Sequence, residues 1–325
     1  MKNAFSLITI LFLCFLLSFC KKENSIVVNK KDSTVLIIKK DSFFIANYQA
    51  NNLVVNNSYA LSPQSLATVT NDTLREASGI GESKINKDLL WVEEDSKNPN
   101  AIQLLDQNGK IKGYFTLPGI SNDDWEDLSV STGPVAGVSY VYVSETGDNK
   151  LQYPIKYVYR FPEPDITGKN FPVIEDIKNI DKIELTLPDG PKNVEALLID
   201  PLTKDIYLIS KEYAACVYIA TYPQDLKKST LMKKIAVLPL SFVTAGDISP
   251  DGNEMVIKTK TQIFYLKKSG NQSILDLIKT TPQTLPYYIE PQGEAICFNT
   301  DQSGFFTFSE RASTNSQTLY FYKKK

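Results

Sequence analysis

The chain has 325 residues, long enough for one large β domain or two ordinary ones. Its 35 Lys and Arg against 37 Asp and Glu leave no basic surplus for nucleic acid or for an anionic membrane surface. The absence of histidine excludes Ser-His-Asp and Cys-His catalysis and any histidine-held zinc or iron, so carboxylates, lysines, hydroxyls or an oxygen-held metal must carry any chemistry.

At the start, Met1-Lys2-Asn3 leads into the 16-residue apolar run AFSLITILFLCFLLSF (residues 4–19). That run reads as a secretory signal and is slightly short for a transmembrane helix. It ends in Leu17-Ser18-Phe19-Cys20, which resembles a bacterial lipobox, although Phe19 stands where a small residue is usual. The expectation is a signal over 1–20, lipidation of Cys20, a polar tether over 21–34 and a folded domain over 35–325. An uncleaved anchor and plain secretion are the alternatives. Cys216 and Cys297 lie in apolar, strand-like runs and read as buried free thiols rather than a bridge.

From Thr34 onward no long period-3.6 pattern appears. Short β-branched and aromatic runs alternate with Pro, Gly, Asn and Asp, in a chain rich in Tyr (17) and Phe (16). The runs form an internal repeat. Each unit opens on an acid leading into a strand: REASGIG (Glu76), DWEDLSV (Glu126), NVEALLID (Glu195), AGDISPDG (Asp247) and GEAICFNTD (Glu294). These acids recur 50, 69, 52 and 47 residues apart. Second strands follow in LLWVEED, YVYVSETGDN, DIYLISKE, EMVIKTKT and GFFTFSER, and third strands in AIQLLDQNGK, KYVYRFP, CVYIATYP, QIFYLKKSG and TLYFYKKK. Fourth strands are read in GYFTLPG, KIELTLP, KIAVLPL and SILDLIK. The fifth unit lacks one, and SLATVT (residues 65–70) is the candidate to complete it. The fold expected is all-β: a β-propeller of five four-stranded blades closed by an N-terminal strand. A six-bladed alternative would split the long second gap, where residues 163–179 form either a loop or an extra hairpin.

Innermost propeller strands line the axis, so Glu76, Glu126, Glu195, Asp247 and Glu294 are expected to converge there. Carboxylates gathered in one funnel repel unless water, protonation or a cation intervenes. Oxygen-only ligation points to Ca²⁺ or Mg²⁺. The competing reading is structural: the acids accept backbone N–H groups or pair with Lys211, Lys258, Lys260 and Arg311 between blades. Other polar groups fall at the same strand ends and are candidates to rim one pocket: Trp125, Asp127, Glu145, Asp148, Asn149, Lys211, Glu212 and Glu310, with Asp123-Asp124 and Glu93-Glu94-Asp95 nearby. For Trp125 packing is the competing role, and Pro250-Asp251-Gly252 reads as ordinary turn chemistry.

The ordered motifs LREASGIG, DWEDLSV, GDN, PDGPKNVEALLIDP, SKE, TAGDISPDG and QGEAI resemble a family of uncharacterised exported bacterial β-propellers. Where that family carries a His-Asn-Asp run after the first Leu-Trp, this chain has Glu93-Glu94-Asp95. Architecturally, a Glu near the start of each inner strand is also similar to the five-bladed calcium-activated nucleotidases (apyrases). That likeness implies a tunnel Ca²⁺ and hydrolysis of nucleoside di- and triphosphates, with Lys211, Lys258 and Lys260 available to phosphate. The function expected is a lipid-anchored, monomeric binding or scaffold module of the cell envelope, at the outer membrane or periplasmic face, holding a protein or small-molecule ligand and no nucleic acid. Metal-dependent hydrolysis of a phosphate ester or anhydride is the alternative, and a carbohydrate-active site with paired carboxylates is a third.

Overall fold

A computed structural model of the chain describes residues 42–311 and 316–325. The signal, the tether and Cys20 lie outside the described residues. Phe43–Lys325 pack as one unit in which five small sheets form a ring, a five-bladed β-propeller. In blade 1 the inner strand Ala77–Glu82 is followed outward by Leu89–Glu94, Ala101–Asp106 and Ile111–Thr116. Blade 2 runs Trp125–Thr132, Ser139–Glu145, Ile155–Pro162 and Asp181–Thr186. Blade 3 runs Val194–Ile199, Ile206–Ser210, Ala215–Ala220 and Lys233–Leu238, and blade 4 runs Val243–Ile248, Glu254–Thr259, Ile263–Lys267 and Gln283–Leu285. Blade 5 is built from Gly293–Phe298, Gly304–Ser309 and Gln317–Lys323. Its outer strand is Gln64–Val69, antiparallel to Gln317–Lys323, so the N-terminal strand closes the ring as the sequence predicts. We call the face where the inner strands begin the upper face.

Burial explains the sequence pattern. Inner and second strands such as Val194–Ile199 and Ile206–Ser210 are buried at every position, because each is sandwiched between neighbouring blades. Fourth strands lie outermost among the four and are less buried, alternating over part of their length as in Asp181–Thr186. Separate apolar clusters fill the blade interfaces. Between blades 1 and 2, Trp91 meets Phe115 edge-on at 5.1 Å, with Trp125 and Leu128 in the same cluster. Each such buried aromatic or aliphatic side chain contributes about 1.5–3 kcal/mol.

Two fourth-strand details differ from the sequence reading. SILDLIK is not the fourth strand of blade 4: Ile274–Leu277 form one helical turn, started by a Ser273–Asp276 capping box, and Gln283–Leu285 is the strand. The long insertion neither splits into a sixth blade nor stays a loop. Val173–Asp176 adds a parallel strand to the edge of blade 1, Val173 opposite Gly113. Thr230–Leu231 does the same for blade 2 and Phe44–Ile45 for blade 3, covering edges that would otherwise offer unpaired N–H and C=O groups. Cys216 and Cys297 are buried free thiols, as expected.

Candidate functional site on the upper face

Each inner strand carries a register irregularity near its start, where extra residues bulge out of the ladder. The bulge falls at Glu126 in blade 2, Glu195 in blade 3 and Glu294 in blade 5. In blade 4 it falls at Thr244, and in blade 1 at Ser78-Gly79. The geometric repeat is therefore Ser78, Glu126, Glu195, Thr244 and Glu294. Where the bulge holds a hydroxyl, it donates to the next blade's bulge: Ser78 Oγ to the Glu126 carbonyl at 2.8 Å and Thr244 Oγ1 to the Glu294 carbonyl at 2.9 Å.

Of the five repeat acids, the structure brings Glu126, Glu195 and Glu294 together. Glu76 is two residues early and exposed, accepting a bond from Asn98 Nδ2 at 2.6 Å. Asp247 is three residues late and sits lower in the channel, accepting from the N–H of Ile248 (2.9 Å) and of Phe298 in blade 5 (2.8 Å). Matching sequence motifs could not detect these offsets, because a bulge leaves no length signature.

Charge in the funnel is partly balanced from within. Lys211 Nζ pairs with Glu195 Oε2 at 2.7 Å, and Asn193 Nδ2 holds Glu195 Oε1 at 2.8 Å. Lys260 reaches Glu294 Oε1 at 3.2 Å across the blade 4–5 boundary, while Glu294 Oε2 is buried without a hydrogen-bond partner. Burial pushes Glu195 up to about 7 against the pull of Lys211, and the same acids hold the Lys211 ammonium charged well above its usual range. Lys258 points elsewhere: it is fully buried and donates to the Gly293 carbonyl. Arg311 pairs with Asp72 at 2.9 Å.

Glu126 has a different environment. It is 4 % exposed, and its neighbours are other carboxyl groups, with Glu195 close enough to share a hydrogen bond with it. One oxygen each of Asp95, Asp124 and Glu126 lies within 4.8 Å of the others. Burial first, then the Glu195 and Asp95 charges, push Glu126 well above the ordinary carboxylate range; burial also raises Asp95 and Asp124. Gly147 makes room for this group, since a Cβ there would come within 2.2 Å of Glu126 Oε1 and 2.4 Å of Asp124 Cγ. Asp95 and Asp124, read from sequence as strand-end groups, thus join one of the repeat acids. Beneath them Glu93 is fully buried with neither oxygen hydrogen-bonded, and burial drives its carboxyl well above the ordinary range.

The remaining rim candidates have structural partners. Trp125 is core, with no exposure. Asp127 is buried below the funnel and crosses the channel, accepting from Leu128 N–H (2.8 Å), from Leu197 of blade 3 (2.9 Å) and from Gly246 of blade 4 (3.4 Å). Glu145 clamps the entry to blade 2 through the N–H groups of Asp123 (3.1 Å) and Asp124 (2.7 Å), and burial lifts it to about 7. Asp148 accepts from Gln152 N–H, Tyr153 N–H and Lys156 at 2.7, 2.8 and 3.2 Å. Asn149 accepts from Asn193, Glu212 pairs with Lys192 at 2.7 Å, and Glu310 accepts from Gln292 and is pushed up to about 8 by burial and by Glu294. Among Gly81, Ser129, Asp247 and Cys297 lies a small pocket of about 10 Å³, barely a water's volume.

Comparison of the sequence with protein-family models and with curated proteins finds no match. Among the described residues no helix is long and apolar enough to cross a membrane.

Proposed function

We propose that the chain is a lipid-anchored binding module of the bacterial cell envelope, whose upper face holds a divalent cation and, through it, a ligand. The observation that carries this reading is the grouping around Glu126: a buried carboxyl beside that of Glu195, with one oxygen within 4.8 Å of oxygens of both Asp95 and Asp124. Asp95, Asp124 and Glu126 are all hard oxygen donors, and they come from different strands and loops whose spacing can relax around an ion. That donor set suits Ca²⁺, which takes six to eight oxygens in flexible geometry, better than Mg²⁺. Three protein residues leave positions open to water or to a ligand's oxygens. Exposed aromatics stand on loops of the same face, among them Tyr213 and Phe242, which meet edge-on at 5.5 Å. Phe242 is held at φ 57°, a strained conformation for an aromatic residue, and its side chain is half-exposed.

Thermal unfolding with and without millimolar Ca²⁺ tests the reading. A site on the folded state alone stabilises by about 2.7 kcal/mol at 100 times Kd, roughly 5 °C for a domain of this size. The shift should disappear in Glu126→Gln and in Asp124→Asn. No shift with either Ca²⁺ or Mg²⁺ would sink it. Hydrolysis of a phosphate ester or anhydride at the same ion is the second reading. It draws on Lys211, whose ammonium stands among these acids. Release of phosphate from nucleotides or phytate, lost in Glu126→Gln, separates enzyme from binder.

A further inference from the structure

On the upper face, the end of a blade 5 strand runs beside the entry to blade 1, because the Arg311 N–H donates to the Arg75 carbonyl at 2.8 Å. This contact carries Glu310 and Glu76 to the same side of the funnel. The arginines next to them in sequence both reach Asp72 instead, each at 2.9 Å. Glu76 is exposed and Glu310 half-buried. Glu76 accepts from Asn98 Nδ2 at 2.6 Å and Glu310 from Gln292 Nε2, both uncharged amides, and no cation of the described residues pairs with either acid. Lys260, whose charge also reaches Glu310, is committed to Glu294 Oε1 at 3.2 Å. Glu294 acts on Glu310 as well, and its Oε2 is buried without a partner. Two accessible carboxyl groups and one unsatisfied buried acceptor therefore face a position that lacks a positive charge, and a buried acceptor left unpaired is costly.

The funnel already seats cationic side chains of its own, Lys211 on Glu195 at 2.7 Å and Lys260 on Glu294. Among the described residues only Asp95, Asp124 and Glu126 bring three such oxygens within 4.8 Å of one another, so Glu76, Glu294 and Glu310 are not gathered closely enough for a bare metal ion. A planar guanidinium, with five N–H donors in a fork, spans a wider set of carboxyl oxygens. Around the funnel stand Tyr153, Tyr213 and Phe242, on loops of blades 2 and 3. Tyr213 is 82 % exposed, more than any other large apolar side chain described, and exposed aromatics of this kind mark protein interfaces.

We propose that the upper face docks a protein segment that inserts an arginine side chain between Glu76 and Glu310, above Glu294, while its neighbouring residues pack on Tyr213 and Phe242. This names the class of ligand for the binding surface proposed above. It rests on that surface being a binding face and not on the ion, which belongs to the blade 1–2 side.

Isothermal titration of the full chain with the peptide acetyl-Tyr-Arg-Tyr-amide, and with its citrulline counterpart as an uncharged control, tests the assignment in calcium and in EDTA. The arginine peptide should bind in both, and the citrulline peptide at least tenfold more weakly, about 1.4 kcal/mol. Raising the salt concentration should weaken the arginine peptide alone. Glu310→Gln and Glu76→Gln should each weaken it at least tenfold, and Tyr213→Ala at least threefold. Glu310→Gln should keep the calcium-dependent melting shift, so that failure here is distinct from failure of the ion site. No heat from the arginine peptide at millimolar concentration would overturn the proposal, as would equal affinity for the citrulline peptide or binding indifferent to both glutamate variants. Argininamide binding as tightly as the peptide would overturn the protein partner.

Discussion

Replacing Asp127 by asparagine asks whether an anionic staple holds the propeller's centre. The Oδ1 atom accepts the N–H of Leu128 at 2.8 Å, and Oδ2 accepts the N–H of Leu197 at 2.9 Å, with Gly246 at 3.4 Å. An amide can present its oxygen to only one of these two sides. Either way a buried N–H faces an NH₂ group, and each unsatisfied group costs about 1–3 kcal/mol. The expected loss is therefore about 2–4 kcal/mol, a large part of a typical stability of roughly 5–15 kcal/mol. Urea unfolding, followed by the fluorescence of Trp91 and Trp125 in the blade 1–2 core, gives the value from the midpoint at unchanged slope. Asp127→Ala, which removes both acceptors, should be no better. Burial pushes the Asp127 carboxyl well above its ordinary range while three backbone donors pull the other way. A protonated carboxyl would be mimicked by asparagine, so a change below about 0.5 kcal/mol refutes the anionic staple.

Gly79→Ala should destabilise by about 1–3 kcal/mol or prevent folding, because the new Cβ would come within 2.2 Å of the Leu128 amide nitrogen and no flexible side chain can yield; a melting temperature equal to the parent's would contradict the close approach of blades 1 and 2. Stability should also fall as pH rises. Glu145 and Asp247 are lifted to about 7 and Glu310 to about 8, from 4.5, 3.8 and 4.5, so the folded state holds more protons across that window. Their contribution is complete below the unfolded values and is lost as pH climbs through 7 to 8. Melts in calcium-free buffer should be higher at mildly acid than at mildly basic pH, and Ca²⁺ should narrow the gap by replacing protons in the funnel; a higher melting temperature on the basic side would show the acids to be relieved by other means.

How much of this was legible in the sequence follows from what each residue answers to. The inner strands read as apolar runs because both faces of every inner strand are covered, a demand each run meets locally. The closing strand was legible because SLATVT is a strand-like run before the first unit that no other blade claims. The run SILDLIK reads as a strand, but the capping box at Ser273–Asp276 starts a helical turn there instead. Glu195 was visible as a charge in an apolar run, and so was its kinship with Glu126 and Glu294.

The register of that repeat was decided by tertiary structure. Glu76 lies before and Asp247 after the bulge that marks the ring position in their strands, an offset that shows only once the strands are paired. Asp124 lies two residues before Glu126 and is its neighbour by sequence, but Asp95 joins them from the end of a blade 1 strand, across a stretch that shares no sequence signal. Lys211, read from sequence both as a rim residue and as an inter-blade counter-charge, pairs with Glu195 within its own blade. The sequence alone determined a five-fold ring of sheets with acids at one end, because patterning and repeat length are local and periodic. The geometry of the funnel belongs to the closed ring, because only closure sets distances between residues that are remote along the chain.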